Sequence, residues 1–344
     1  MVECGRHLNI ELLTLTEVAA VNGDRGNFTV TLTQAPRYVD MDKCIACGLC
    51  AEKCPKKVAD PYNVGLGNRK AIYLHYSQTV PLKYAIDPAA CLYFLKGKCK
   101  ACEKFCPTGA INFADPGRTL TLQVGAVIAA PGYRPFDPQV LEAYGYSRIP
   151  DVVTGLEFER LLSAGGPFQG HVVRLSDHQE PRKVAWIQCV GSRSRDGRGN
   201  PYCSTVCCMY AVKQALVTAD HLPGASQTIF YMDLRAHNKE FERYYQDARA
   251  KGVRFVQARP HTILPGPNRK GVRVEYINED GRQVEEDFDL AVLSVGLEAP
   301  DGARELAATL GIELNRFNFV DTTSFTPVAT SRPGIYVCGA CEAP

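Results

Sequence analysis

The chain has 344 residues, 45% hydrophobic and 22% charged, ordinary values for a globular protein with cores for two or three domains. A formal net charge of +2 gives no basis for binding nucleic acid or an anionic membrane. No apolar run approaches the ~20 residues that span a bilayer, and the first seven residues lack a signal-type apolar stretch.

In chain order, residues 9–34 read as short strands: Asn9 to Leu15, Glu17 to Val21, a turn at Asn22-Gly-Asp, and a strand alternating Phe28, Val30 and Leu32 on one face. Residues 38–113 form a separate cysteine-rich unit between the segments 1–37 and 114–150. It is a two-fold repeat whose halves each end Cys-Pro. An apolar strand runs from Leu120 into the turn Ala130-Pro-Gly132. Over residues 151–300 strands and helices alternate. Strands are predicted at Lys183–Gln188, Thr228–Met232 and Val253–Val256, with helices over Ser204–Leu222 and Asn238–Ala250 and a hairpin at Asp280-Gly281. That succession predicts a doubly wound α/β domain. Residues 301–344 close the chain with the strand Gly334-Ile-Tyr-Val-Cys.

Eight of the fifteen cysteines fall in two runs. The first is Cys44-x2-Cys47-x2-Cys50-x3-Cys54-Pro55; the second is Cys91-x7-Cys99-x2-Cys102-x3-Cys106-Pro107. Short Cys-x-x-Cys loops bring thiolates to neighbouring irons of a cubane, and the Cys-Pro cysteine turns away to ligate the other cluster. The spacing predicts one [4Fe–4S] cluster on Cys44, Cys47, Cys50 and Cys106, and another on Cys91, Cys99, Cys102 and Cys54. Seven residues between Cys91 and Cys99, where the bacterial pattern has two, set Cys91 apart. A pair of zinc knuckles is the alternative use of Cys-x-x-Cys, though it requires neither the third cysteine nor the Cys-Pro ending. Thiols at this density and spacing argue for a reducing cytoplasm.

A second constellation, Cys189-x13-Cys203-x3-Cys207-Cys208, joins a strand end to the start of the following helix. That carboxyl edge is where α/β sheets hold ligands. From spacing alone, a metal site and a set of buried small hydrophobes are equally good readings. The loop between, rich in glycine and carrying Arg193, Arg195 and Arg198, reads as flexible and solvated. Cys338-Gly-Ala-Cys341 has redox spacing, but a thiol pair at a strand end without catalytic role is the plainer reading.

Gln188-Cys-Val-Gly-Ser-Arg, Tyr202-Cys-Ser-Thr-Val-Cys-Cys-Met-Tyr-Ala-Val-Lys213, Gly5-Arg-His-Leu-Asn-Ile-Glu-Leu-Leu-Thr and Pro36-Arg-Tyr-Val-Asp together resemble the A-subunit of heterodisulfide reductase and its bacterial relatives. The resemblance runs over essentially the whole chain. It implies a thioredoxin-reductase-like doubly wound flavoprotein fold with an inserted two-cluster ferredoxin-like (α+β) domain. Segments 1–37, 114–150 and 301–344 would then belong to an FAD-type domain, and 151–300 to a second, nucleotide-binding-like one. It also implies FAD, a third iron–sulfur centre using Cys189, Cys203, Cys207 and Cys208, and an approach of Lys213 to the flavin ring. Gly132, in Ala126-Val-Ile-Ala-Ala-Pro-Gly132, and Gly339, after the last strand, stand where such flavoproteins contact the cofactor.

The chain departs from the family at the Gly-x-Gly-x-x-Gly turn that holds the FAD pyrophosphate, which occurs nowhere in it. It is therefore expected to be the central and C-proximal part of such a subunit, with a separate polypeptide supplying the missing flavin-binding half, or a truncated product. A nicotinamide fingerprint is also missing, which argues against direct NAD(P)H oxidation. The expected activity is that of an oxidoreductase subunit in a flavin-based electron-bifurcating complex, relaying electrons between FAD and its clusters. Its partners would be the B and C subunits of the reductase, a hydrogenase- or dehydrogenase-linked donor, and ferredoxin. A flavin-free electron relay and a zinc-bearing scaffold are the alternatives.

Overall fold

The computed structural model describes residues 2–344, which divide into two compact units. One comprises the chain up to Ala129 with Arg304–Glu313 and Asp321–Val337; the other comprises Ala130–Ala303, Leu314–Val320 and Cys338–Pro344.

In the first unit, β1 (Thr16–Asp24) and β2 (Asn27–Gln34) form a hairpin, and β3 (Arg118–Val124) pairs antiparallel with β2. Phe28, Val30 and Leu32 are buried, as their alternation predicts. Two expectations fail here. The turn lies at Arg25-Gly26, with Gly26 at φ +90°, because Asn22 and Gly23 remain paired in the ladder. Asn9 to Leu15 forms no strand: its residues are mostly exposed, and they lack a ladder partner. Val127–Ala129 and Ile335–Val337 make a separate parallel pair.

The cysteine-rich segment is spliced between β2 and β3, whose facing ends are Gln34 and Arg118. Its two ends are tied together just beyond that pair. Asp115 accepts the backbone N–H groups of Arg37 and Tyr38 at 2.9 and 3.1 Å and that of Gly117 at 3.0 Å. Val39 bridges Ile111, and Asp40 N–H donates to Ala110 O at 2.7 Å. Inside, helical turns at Leu49–Glu52 and Ala101–Lys104 follow the two Cys-x-x-Cys loops, and two small antiparallel pairs lie between. The core is small: Val39, Ile72, Ile86 and Ala110 pack with the cysteines themselves and with Phe94 and Phe113.

The second unit is built on a five-stranded parallel sheet. Its strands are β4 (Val152–Thr154), β5 (Lys183–Val190), β6 (Ser226–Tyr231), β7 (Arg254–Gln257) and, after the antiparallel set β8 (Thr262–Pro265), β9 (Val272–Ile277) and β10 (Gln283–Phe288), β11 (Leu290–Val295). The parallel order is β4-β11-β5-β6-β7. β5 and β11 read as near-continuous apolar runs because both faces are covered, and Trp186, Ile187, Leu290 and Leu293 are fully buried. Helix α1 (Gly155–Leu162) starts at a capping box between Thr154 and Glu157, and α2 (Cys207–His221) follows β5. α2 begins three residues later than the expected Ser204, because Ser204 is used otherwise. Its hydroxyl pairs with Ser192 Oγ at 2.9 Å and accepts Leu297 N–H at 2.8 Å. Helix α3 (Phe241–Ala250) likewise starts after Asn238.

Asp115→Ala removes the acceptor that closes the neck of the insertion. The expected destabilisation is about 3 kcal/mol, on the scale of hydrogen bonds to charged groups, read as a lower denaturation midpoint of the first unit. An unchanged midpoint contradicts this account of the neck.

Candidate iron–sulfur site

The eight cysteines of the insertion line two separate cavities. One is walled by Cys44, Cys47, Cys50 and Cys106 with Val39, Ile45, Tyr84 and Ile111. The other is walled by Cys54, Cys91, Cys99 and Cys102 with Ile72, Ile86 and Leu92. These are the crossed sets read from the spacing, Cys91 included. The crossing follows from local structure: Leu49–Glu52 and Ala101–Lys104 each make one helical turn and stop, and the Cys-Pro dipeptide directs the fourth thiol across. Left-handed backbone at Gly48 (φ +84°) and Cys99 (φ +84°) bends each ligand loop around its cavity.

Among the described residues, no three His, Cys, Asp or Glu side chains are gathered tightly enough to hold a single metal ion. Four thiols on the wall of an apolar cavity are the donor set a cubane takes, one per iron. Burial, with neighbouring thiols adding, pushes Cys50 up to about 12 and Cys102 up to about 11. Deprotonating them is a cost that a bound cluster offsets through its iron–sulfur bonds. At Cys106 burial works against the anion, but hydrogen bonds from Thr108, Ala110 and Gly109 outweigh it and lower the thiol. A cation sits behind each half. Lys83 Nζ donates to Cys44 O at 2.6 Å, and the ammonium of Lys70 donates to Cys54 O.

In the second unit, three of the four cysteines of the constellation Cys189, Cys203, Cys207 and Cys208 meet at the carboxyl edge of β5. Cys189, at φ +60°, is buried there with Cys207 and Cys208 of α2. A hydrogen bond from Cys207, helped by Arg193, holds Cys189 below its ordinary value and pushes Cys207 well up. Cys208 falls to about 7 through its bond from Cys207 and the backbone N–H of Arg235. Cys203 lies outside this chain of thiols: it precedes the helix, so it shares no helical face with Cys207, and its Sγ accepts Thr205 N–H at 3.4 Å. One residue before Cys189, both polar atoms of the buried Gln188 amide lack a partner, a signal for a polar group at this edge that spacing alone does not give. The Arg193 loop is folded rather than free. Arg193 N–H donates to Tyr202 O and Ser194 N–H to Asn200 O, both at 2.9 Å; the Arg193 side chain pairs with Asp233, and Arg198 pairs with Asp196 at 2.7 Å.

Lys213, on α2, pairs with Glu159 of α1 and lies between two cavities. The smaller, about 230 Å³, is lined by Tyr133, Leu156, Tyr210 and Leu297; the larger, about 630 Å³, by Met209, Arg235, His237 and Tyr244. Gly132 precedes Tyr133, and its backbone N–H hydrogen-bonds the Cys341 thiol, beside Gly339. Both glycines are left-handed, at φ +82° and +77°, and a Cβ on either would meet nothing within 4 Å. They are needed for backbone conformation, and no close approach of a neighbour demands them. Tyr133, Tyr210 and Lys213 share the wall of the smaller cavity. A turn for a dinucleotide's pyrophosphate is absent from the sequence.

Two thiol-walled cavities in one insertion define an iron–sulfur protein, and the 4Fe-4S binding domain family matches residues 37–59. Along its whole length the chain is 39% identical to the A-subunit of the H(2):CoB-CoM heterodisulfide,ferredoxin reductase of Methanothermobacter thermautotrophicus, and covers 52% of it. It is 43% identical, again over its whole length, to the A-subunit of the H(2)/formate:CoB-CoM heterodisulfide,ferredoxin reductase of Methanococcus maripaludis, and covers 52% of that chain. The chain is similar along its whole length to heterodisulfide reductase A-subunits and spans about half the length of the relatives it matches. Among solved structures, the thioredoxin reductase of T. acidophilum superposes at a TM-score of 0.38 and 15% identity, over 88% of this chain and 81% of that one, too loosely to bear on the fold.

Cys54→Ser and Cys99→Ser are expected to abolish the same reduced-state EPR signal, and Cys106→Ser and Cys44→Ser the other. Pairing of Cys54 with Cys44 instead contradicts the crossing. Lys83→Met, which removes a cation from behind the first cavity, is expected to lower the midpoint potential of that centre alone. A potential that stays put in redox titration rules the lysine out as a tuning group.

Proposed function

We propose that this chain is the central part of an electron-transfer iron–sulfur flavoprotein subunit of heterodisulfide-reductase type. Its insertion seats two [4Fe–4S] centres, on Cys44, Cys47, Cys50 and Cys106 and on Cys54, Cys91, Cys99 and Cys102. The observation that carries this is the division of eight thiols into two crossed sets of four around apolar cavities. Bound clusters supply one-electron chemistry, and FAD supplies a junction between two-electron and one-electron traffic. The chain's own part is to gather the thiols on apolar walls, lower the Cys106 thiol through hydrogen bonds and set a cation behind each centre. Cys189, Cys203, Cys207 and Cys208 would seat a third cluster, next in the chain to the orphaned Gln188 amide. Because three of these thiols already touch, Cys203 would have to swing in from the preceding loop.

Lys213, Gly132 and Gly339 would border the flavin ring, with the pyrophosphate held by residues outside this sequence. The B and C subunits of the reductase, a hydrogenase- or dehydrogenase-linked donor and ferredoxin are the partners this reading implies, in a reducing cytoplasm. Among the described residues no helix is long and apolar enough to cross a membrane.

Anaerobic reconstitution, iron and sulfide analysis and an absorption spectrum test the proposal. Iron with matching sulfide and a broad brown absorption is the expected result; zinc without sulfide overturns it. Resolved flavin bands separate the flavoprotein from a bare relay. Cys207→Ala is expected to lower iron by one cluster's worth, and unchanged iron refutes the third centre.

A further inference from the structure

Eight cysteines line the cavities of the insertion and four form the constellation at β5 and α2, which leaves Cys4, Cys338 and Cys341. Spacing alone gives Cys338-Gly-Ala-Cys341 no chemical role, but the fold makes its two thiols unlike. Cys338 follows the strand Ile335–Val337 with extended backbone and is exposed. Cys341 closes the 3-10 turn Gly339–Cys341 and is buried, with 2% of its surface in water. Gly339, left-handed at φ +77°, turns the chain between them, and Cys341 Sγ donates to the carbonyl oxygen of Cys338 at 3.3 Å. The buried sulfur therefore lies against the residue that carries the exposed one. Backbone pairs fix the turn: Glu342 N–H donates to Gly339 O and Val320 N–H to Cys341 O, both at 3.0 Å. The surface beside Cys338 is open, since a Cβ on Gly339 would meet nothing within 4 Å. Burial, with the neighbouring Cys338 adding, pushes Cys341 up and keeps it a protonated thiol.

An exposed thiol that can attack, with a buried thiol held next to it to resolve, is the division of labour that dithiol–disulfide exchange needs. We propose that Cys338 and Cys341 are a redox-active dithiol that closes to a disulfide by exchange with small aliphatic disulfides. Cys338 gives its proton to water, and its thiolate attacks one sulfur of the incoming disulfide. That S–S bond breaks, a mixed disulfide forms on Cys338, and the first small thiol leaves with a proton. Cys341 then gives up its own proton and attacks Cys338 Sγ, and the second small thiol leaves. Two protein thiols are oxidised to one disulfide, and one small disulfide is reduced to two thiols. Excess small thiol runs the same steps backwards. The pair is thus a two-electron site apart from the cysteines of both constellations. No iron or flavin takes part, so the inference stands independently of the cluster and flavin proposals. A plain thiol pair at a strand end would instead react as two unconnected groups.

The test equilibrates the full chain, reconstituted anaerobically, with bis(2-hydroxyethyl) disulfide and 2-mercaptoethanol at increasing ratios. Samples are quenched with acid, unfolded, alkylated with iodoacetamide, digested with trypsin and weighed by mass spectrometry. Arg332 precedes Pro333 and resists cleavage, so the peptide from Phe317 to Pro344 carries Cys338 and Cys341 and no other cysteine. That peptide is expected to pass from the doubly alkylated form to an unalkylated form lighter by two hydrogens. Cys4, also exposed, reports general thiol reactivity and is expected to stop at the mixed disulfide. In C341S the mixed disulfide is expected to accumulate on Cys338. In C338S the buried, protonated Cys341 is expected to react at least roughly ten-fold more slowly than Cys338 does in C341S. The proposal is overturned by a peptide that stays doubly alkylated, stops at mixed disulfides as Cys4 does, or is found joined to another cysteine peptide. A C338S chain in which Cys341 reacts as fast as Cys338 overturns it too. Ring closure in the parent chain needs no substitution, so the decision stands if a variant fails to fold. Iron content, measured alongside, decides the clusters and has no bearing on ring closure.

Discussion

The insertion is built around eight thiols that line two apolar cavities. Its hydrophobic core is little more than Val39, Ile72, Ile86, Ala110 and a few aromatics, with the cysteines completing the packing. Burial that lifts Cys50 and Cys102 so far is unfavourable to their anions. Such an arrangement is sensible where a bound centre converts the penalty into bonds, so that cluster binding and folding become one event. The crossing strengthens that coupling. Each cavity draws a wall from both halves of the repeat, so neither half is complete alone.

The second unit shows the same logic at the edge of a different scaffold. A doubly wound sheet delivers strand ends and helix starts to one rim, where dinucleotide-binding proteins place glycines. Here β5 and α2 deliver cysteines to that rim, and the intervening loop is folded by Ser192, Ser204 and its own backbone pairs. Lys213 lies two helical turns further on, beside an acid that neutralises it in the absence of another partner.

Much of this was legible in the sequence because ligand spacing is a local code. The crossed thiol sets, the insertion between two strands and the α/β alternation were all readable from periodicity and from Cys-Pro. What misled was side-chain competition with backbone pairing. Asn22 and Gly23 look like a turn yet stay in the ladder, so the bend falls at Arg25-Gly26. Ser204 looks like a helix start, but its hydroxyl is committed to Ser192 and Leu297, which also leaves Cys203 off the helix. The glycine-rich arginine loop reads as mobile, although Asp196 and Asp233 hold two of its three arginines. The orphaned amide of Gln188 was beyond reach, since an unmet hydrogen bond has no sequence signature.

The splice point has a consequence of its own. Because Gln34 and Arg118 face each other across neighbouring antiparallel strands, their Cα atoms lie only about 5 Å apart. A two-residue hairpin would bridge that gap without disturbing the host ladder. The cysteine-rich segment is thus a cassette, clipped in at a single seam, and the surrounding architecture can accept or dispense with it as a unit.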